Sequence, residues 1–238
     1  MEIYDLHTHI MPFIDDGASS TSETRTLIKV LKEQGVCGVI ATPHFFARVK
    51  NVDEAVVYRS KILDKIGNVF SDDELKVSFG FEVRYFDGIS THPDINKLCL
   101  GKSDYILIEL PYNRSITSRM IEELSALCLT RRLKPIIAHI ERYTKVPGFS
   151  EILSLIRDGY VLSHVNTASL TNILLANRTL KLIKNGSVSF ITSDTHSSKK
   201  RPPKWDKALC VANKKLSKRT VEKLLNNAKK VFNEVYNA

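Results

Sequence analysis

Two of the chain's seven histidines share the thirteen-residue stretch Asp5-Leu6-His7-Thr8-His9-Ile10-Met11-Pro12-Phe13-Ile14-Asp15-Asp16-Gly17 with three carboxylates. In an extended run, residues i and i+2 point to one side, so His7 and His9 can aim two imidazoles at one point. Imidazoles with nearby carboxylates hold divalent metal ions. An exposed polar turn with incidental histidines would have the same composition, so the stretch needs support from elsewhere in the chain. The same residue types recur at His44 in Ala41-Thr42-Pro43-His44, at Glu82, Glu109 and His139, and at Asp194 and His196 in Thr192-Ser193-Asp194-Thr195-His196.

The elements that must position these residues follow from periodicity. Strand-like apolar runs are expected at residues 3–6, 36–41, 76–81, 105–110, 135–138, 160–163 and 188–192. Amphipathic helical segments are expected at residues 21–34, 53–69, 117–132, 150–158, 169–184 and 218–236. The first helix has Ser20 before it and Glu23 three residues later, a capping-box pattern, with Gly35 as its stop. Strands alternating with helices, about seven times over, imply an α/β fold with parallel strands, either a closed barrel or an open wound sheet. No Gly/Ser linker or repeat divides the chain, so residues 1–238 are expected to form a single domain ending in a basic helical region.

On that map every candidate ligand ends or follows a strand: His7 and His9 the first, His44 the second, Glu82 the third, Glu109 the fourth, His139 the fifth, Asp194 and His196 the seventh. In a βα barrel the strand C-termini meet at one face, where active sites sit. With Asp16 on the first loop, nine ligand-type side chains would converge there. All are imidazole or carboxylate, which suits Mn, Fe or Zn ions and argues against a structural cysteine-zinc site. Nine ligands exceed the needs of one ion, and a carboxylate such as Glu82 can bridge two, so two or three ions are expected. Such clusters suit phosphate-ester hydrolysis, because they generate hydroxide at neutral pH and neutralise charge on the transferring phosphoryl group.

Composition narrows the classes. The 238 residues are 43% hydrophobic, enough for a core, and no apolar stretch is long enough to span a membrane. The N-terminus lacks the basic and apolar regions of a signal peptide, and the widely spaced Cys37, Cys99, Cys128 and Cys210 form no CxxC pair; a cytoplasmic location is expected. A cysteine phosphatase needs arginine six positions after its cysteine, and those positions hold Pro43, Tyr105, Lys134 and Leu216. The formal net charge of +9 lies in residues 199–238, which carry 12 Lys or Arg against 3 Asp or Glu; residues 1–198 carry 23 of each. That region either attracts an anionic partner or is the solvated face of a helix.

The ordered set of His7-Thr8-His9, His44, Glu82, Glu109, His139 and Asp194-Thr195-His196 resembles the PHP family, named for polymerase and histidinol phosphatase. The residues His9-Ile10-Met11-Pro12, Asp15-Asp16-Gly17-Ala18, Ala41-Thr42-Pro43-His44-Phe45 and Ala138-His139-Ile140-Glu141-Arg142-Tyr143 narrow the resemblance to metal-dependent protein-tyrosine phosphatases encoded beside bacterial capsule and exopolysaccharide genes. The resemblance implies a distorted seven-stranded TIM-like βα barrel. It implies hydrolysis of protein phosphotyrosine, with two or three divalent ions, Mn²⁺ foremost. It also implies a tyrosine autokinase of polysaccharide export as the phosphoprotein partner.

By the same resemblance, His7, His9, Glu82 and Asp194 would bind one ion. Glu82, His44 and His139 would bind a second, and Asp16, Glu109 and His196 a third. Arg142 and Arg201 would hold the substrate phosphate, for which a guanidinium fork is suited. Two features depart from the pattern. His164 stands near where the family often has glutamine, and Ala168-Ser169 replaces a Gly-Ser pair; His164 is read as a hydrogen-bonded structural histidine, with an added site residue as the alternative. His92 is read as surface, and Asp5 and Asp15 as partners that orient metal-binding histidines or shape turns. The rival functions are a phosphatase of a small metabolite such as histidinol phosphate, a PHP nuclease, and a non-catalytic module docking through its basic face. Nucleic acid is the less expected partner, because no stacking pattern accompanies the basic region.

Overall fold

A computed structural model describes residues 2–71 and 75–238. The chain alternates strand and helix almost throughout. It runs β1 (Ile3–Thr8), α1 (Thr21–Glu33), β2 (Val36–Ala41), β3 (His44–Phe45), α2 (Val52–Ile66), β4 (Lys76–Phe79), β5 (Glu82–Arg84), β6 (Tyr105–Glu109), α3 (Ser118–Leu129) and β7 (Lys134–Ile137). It continues with α4 (Phe149–Arg157), β8 (Leu162–Asn166), α5 (Thr167–Thr171), α6 (Ala176–Lys184), β9 (Phe190–Thr192), α7 (Trp205–Lys215) and α8 (Lys218–Tyr236).

Every strand ladder is parallel. The order is β1-β2-β4 in one sheet and β3-β5-β6-β7-β8-β9 in the other. Two residues separate β2 from β3, and two separate β4 from β5, so one sheet passes into the other along two interrupted courses. A parallel bridge between Thr8 and Thr195 brings the last course back beside the first. The breaks fall at Thr42-Pro43 and Gly80-Phe81; Pro43 has no N–H to give a ladder, which helps end β2 there.

Alternation along the strands sorts the core. Tyr4 and Leu6 of β1, Ile40 of β2, Tyr105 and Leu107 of β6, Ile136 of β7 and Phe190 of β9 form an inner cluster with Val231, Phe232 and Val235 of α8. The intervening Val39, Ile106, Ile108, Ile137 and Ile191 join the larger cluster under the surrounding helices. The apolar face of α8 thus packs on the N-terminal halves of the strands and leaves their C-terminal ends open. This helix carries five Lys or Arg against two Glu, whereas residues 199–217 ahead of it carry seven Lys or Arg against one Asp, so most of the surplus positive charge precedes α8.

Several expectations are corrected. The segment expected as one helix over residues 169–184 is broken into α5 and α6, and the intervening Ile173 and Leu174 are exposed. Helix α7 was not among the expected elements; it carries Trp205, which is fully buried. The α1 cap is half a capping box: Ser20 Oγ accepts the Glu23 N–H at 3.1 Å, but the Glu23 carboxylate accepts the Ser198 N–H at 2.6 Å. A full capping box occurs instead at α2, between Asn51 and Glu54.

Candidate metal centre and active-site pocket

Strand parity carries Glu82 and Glu109 to the open end, because Glu109 lies on the face of Tyr105 and Leu107. Parity with the inner cluster fails at His7 and His9, against Tyr4 and Leu6, and at His139, against Ile136 and Ala138. The β1–β2 ladder shifts register between Asp5 and Thr8, and such irregularities re-aim side chains. His139 has φ of 35° and Asp194 has φ of 53°, left-handed backbone that costs a non-glycine residue of order 1 kcal/mol and is concentrated at functional sites. Gly17 lets the first loop fold back on His9, where a Cβ would stand 2.2 Å from the His9 carbonyl oxygen.

The nine candidates do converge. His7 Nε2 and His9 Nε2 are 3.0 Å apart, each lies 3.3 Å from Glu82 Oε2, and they lie 3.6 and 3.5 Å from Asp194 Oδ1. Ligands about 2.1 Å from a shared tetrahedral ion stand about 3.4 Å apart. His139 Nε2 lies 2.9 Å from Glu82 Oε1 and 3.7 Å from Glu109 Oε1. Asp16 Oδ1 lies 3.4 Å from both His44 Nε2 and His196 Nε2. Ligand atoms able to share an ion form three groups: His7, His9 and Asp194; His44, Glu82 and Glu109; and His9, Asp16, His44 and His196. This grouping differs from the expected partition. Glu109 falls with His44 and Glu82 and not with Asp16 and His196, and both nitrogens of His44 face acids.

The donor set fits ions. His44 Nδ1 and Glu82 Oε2 are 2.8 Å apart, yet both, with His196 Nε2, are buried without a hydrogen-bond partner. Nitrogens that do not face the cluster are held from behind, as in metal sites. His7 Nδ1 is 3.0 Å from His164 Nε2, His9 Nδ1 is 2.7 Å from Asp15 Oδ2, His139 Nδ1 is 3.4 Å from the Tyr143 hydroxyl, and His196 Nδ1 is 3.0 Å from the Asp194 carbonyl oxygen.

Electrostatics point the same way. Burial opposes a charge on His9, but Asp15 and Glu82 outweigh it and push its pKa up to about 10. Burial and the neighbouring His9 push His196 down to about 3, which keeps it neutral. Burial would raise the Glu82 carboxyl, but the surrounding His7, His139 and His44 hold it well below the usual range. A nest that favours positive charge at one imidazole and neutral, lone-pair-bearing nitrogen at another is suited to cations.

Arg142 and Arg201 meet at this centre. Both donate from Nη2 to Asp194 Oδ2 at 2.8 Å, while Asp194 Oδ1 faces the histidines. The Arg201 carbonyl accepts from His196 N at 3.1 Å and Thr195 Oγ1 at 2.9 Å, so the loop that carries Asp194 and His196 also fixes Arg201. The Glu23–Ser198 bond anchors that loop to α1. The two arginines border a pocket of about 430 Å³ with His44, Glu82, Glu109 and Tyr112 in its walls and no cysteine among its lining residues.

Sequence reasoning missed Arg84, whose Nη1 donates to Glu109 Oε2 at 2.7 Å within the same pocket. Its place two residues after Glu82 was the available signal. His164 is fully buried behind His7, with its Nδ1 2.7 Å from Thr192 Oγ1. Asp5 is also buried, accepting from Ser193 N at 2.9 Å and Trp205 Nε1 at 2.8 Å. His92 lies apart, half-buried against Phe86.

Residues 3–233 match the model of a family described as capsular polysaccharide synthesis, CpsB/CapC. The chain belongs to the CpsB/CapC family. The tyrosine-protein phosphatase YwqE of Bacillus subtilis is 30% identical over 231 residues, covering 94% of this chain and 89% of that protein. The tyrosine-protein phosphatase CpsB of Streptococcus pneumoniae is 25% identical over 243 residues, covering 96% and 97%. A crystal structure from work on YwqE and CpsB, described as unique metal-dependent tyrosine phosphatases, superposes with a TM-score of 0.79 at 28% identity, covering 98% of this chain and 95% of that one. An amidohydrolase of Bifidobacterium longum shares the fold at a TM-score of 0.55 and 12% identity.

Proposed function

We propose that this chain is a metal-dependent protein-tyrosine phosphatase acting in capsular or exopolysaccharide synthesis, with a phosphotyrosine protein such as a tyrosine autokinase as its substrate. The observation that carries the reading is the pairing of a nine-residue imidazole and carboxylate cluster with two guanidinium groups that converge at its edge. His7, His9, Glu82 and Asp194 hold one ion; His44, Glu82, Glu109 and His139 a second; Asp16 and His196, with His44 or His9, a third. The donor set suits Mn²⁺ above Mg²⁺, which prefers oxygen ligands and keeps its waters, while Fe and Zn match the same donors. When bound, the ions supply a hydroxide nucleophile at neutral pH and offset phosphoryl charge.

The chain's own residues do the rest. Arg142 and Arg201 are side chains at 36% and 42% exposure, open enough to the pocket to reach a phosphate. Both now share one carboxylate oxygen of Asp194, and a phosphate offers two or more oxygens to the same forks. They steady charge on the equatorial phosphoryl oxygens as the bond to the leaving group breaks. The phenolate leaving group has a conjugate-acid pKa of about 10 and departs more readily than an alkoxide. Asp15 and His164 hold His9 and His7 in the orientation that presents Nε2 to the cluster. The four cysteines are unpaired, which suits a reducing cytoplasm.

The test is phosphate release from a phosphotyrosyl peptide, with the metal content of the same preparation measured. Chelation is expected to abolish turnover and Mn²⁺ to restore it better than Mg²⁺. Full activity in metal-free protein, or turnover of small phosphorylated metabolites but not of the peptide, would sink the reading.

A further inference from the structure

A cleft of about 660 Å³ adjoins the active-site pocket, and Phe46 and Arg84 belong to the walls of both. Its walls also include Arg48, on the loop after β3, and Arg114, on the loop after β6, neither of which lines the active-site pocket. Both arginines are exposed, and among the described residues neither has a carboxylate partner. Asp87 is the one acidic residue among those lining the cleft. Arg84 stands at the divide, its guanidinium bonded to Glu109 and 5.4 Å from the centre of the Tyr112 ring. Two uncommitted cations beside one carboxylate make the cleft an electropositive annex to a site that is itself built for an anion.

We propose that this cleft binds an anionic group of the substrate polypeptide lying one to three residues from the phosphotyrosine. The proposal rests on the phosphatase reading and adds a specificity determinant to it. With the phosphotyrosine in the pocket, a chain that leaves towards this cleft passes over the shared walls, Phe46 and Arg84. Extended polypeptide advances about 3.4 Å per residue, so near neighbours of the phosphotyrosine come within range of Arg48 and Arg114. A carboxylate or a second phosphate would answer the same guanidinium forks.

Steady-state kinetics of the Mn²⁺-loaded enzyme would compare four substrates: a phosphotyrosyl peptide with Gly and Ser flanks, one with Asp and Glu flanks, one with a second phosphotyrosine, and p-nitrophenyl phosphate. The wild type is expected to favour an anionic peptide over the neutral one by about five- to tenfold in kcat/KM at low ionic strength, mainly through KM, with the preference shrinking as salt is added. In the Arg48→Ala/Arg114→Ala variant the preference should vanish while turnover of p-nitrophenyl phosphate stays within about twofold of wild type, which also reports that the protein is folded. Preference for acidic flanks alone identifies a carboxylate as the ligand; preference for the doubly phosphorylated peptide alone identifies a phosphate. Equal rates on all three peptides in the wild type, or a preference that survives in the variant, would overturn the cleft's role and leave the phosphatase reading standing. A wild type that turns over neither p-nitrophenyl phosphate nor any peptide would overturn both.

Discussion

His139 and Arg142 lie three residues apart around one turn, yet their roles separate. His139 is buried with Nε2 against Glu82, whereas Arg142 is half exposed and meets the outer oxygen of Asp194. His139→Ala should therefore lose bound metal and activity together. Arg142→Ala should keep its metal and lose about 10²-fold in kcat/KM, the usual scale for one charged transition-state contact. Elemental analysis beside kinetics distinguishes them, and metal loss in the Arg142 variant would refute the phosphate clamp. His164 offers a second residue-scale test. With His7 Nε2 facing the cluster, its Nδ1 pairs with His164 Nε2, and His164 Nδ1 lies within hydrogen-bond distance of Thr192 Oγ1 and of the His139 N–H. His164→Phe leaves His7 Nδ1 without that partner, so metal affinity should fall about 10- to 100-fold. His164→Gln, whose side-chain amide can pair with the same nitrogen, should retain most of it. A competition titration against a chelator reads the difference, and unchanged affinity in the Phe variant would show that His164 merely fills space.

Among the elements, α8 is informative because it lies far from the chemistry. Its Phe232 is fully buried against β2 at Gly38, where an added Cβ would stand 2.6 Å from the ring. Gly38→Ala should cost about 1–3 kcal/mol by overpacking, since the inner cluster has little room to give. In a chain of this size each kcal/mol lowers Tm by about 2–4 °C. Trimming the ring with Phe232→Leu should recover part of that loss in the double variant, a coupling expected of residues in contact. Metal content should not change, because α8 covers the strand N-termini and the ligands stand at the C-termini. Metal loss in Gly38→Ala would mean that the two ends of the fold are mechanically linked.

For the whole molecule, the candidate centre draws its imidazole and carboxylate side chains from β1, the β1–α1 loop, β3, β5, β6 and the turns after β7 and β9. Ions bound there tie together segments from nearly the full length of the chain. Because they bind the folded centre and not the dispersed unfolded ligands, saturation at 100 times Kd adds about 2.7 kcal/mol per site. Removing the ions should lower Tm by roughly 5–10 °C even if only one site is emptied, and Mn²⁺ should restore it. Calorimetry with and without chelator measures this apart from turnover. An unchanged Tm would show that the centre contributes nothing to holding the fold.

Much of this was legible in order along the chain. The clustering of imidazole and carboxylate types, the alternation of strand and helix, and the meeting of strand C-termini follow from side-chain chemistry and local periodicity, both of which are written in neighbouring residues. Arg142 and Arg201 were singled out by the family resemblance and not by periodicity. Sequence reasoning could not partition the ligands, because which carboxylate oxygen faces which imidazole depends on the left-handed turns at His139 and Asp194 and on the register shift in β1. Nor could it see that Glu23 leaves its own helix cap to brace the loop of Asp194, His196 and Arg201, since that bond joins residues 175 apart in sequence. Helix α7 and its Trp205–Asp5 bond were hidden for the same reason, the partners being 200 residues apart. Local pattern decides which groups exist and roughly where each strand ends. Only the closed packing of distant segments decides which groups touch, and in a metal centre the contacts set the chemistry.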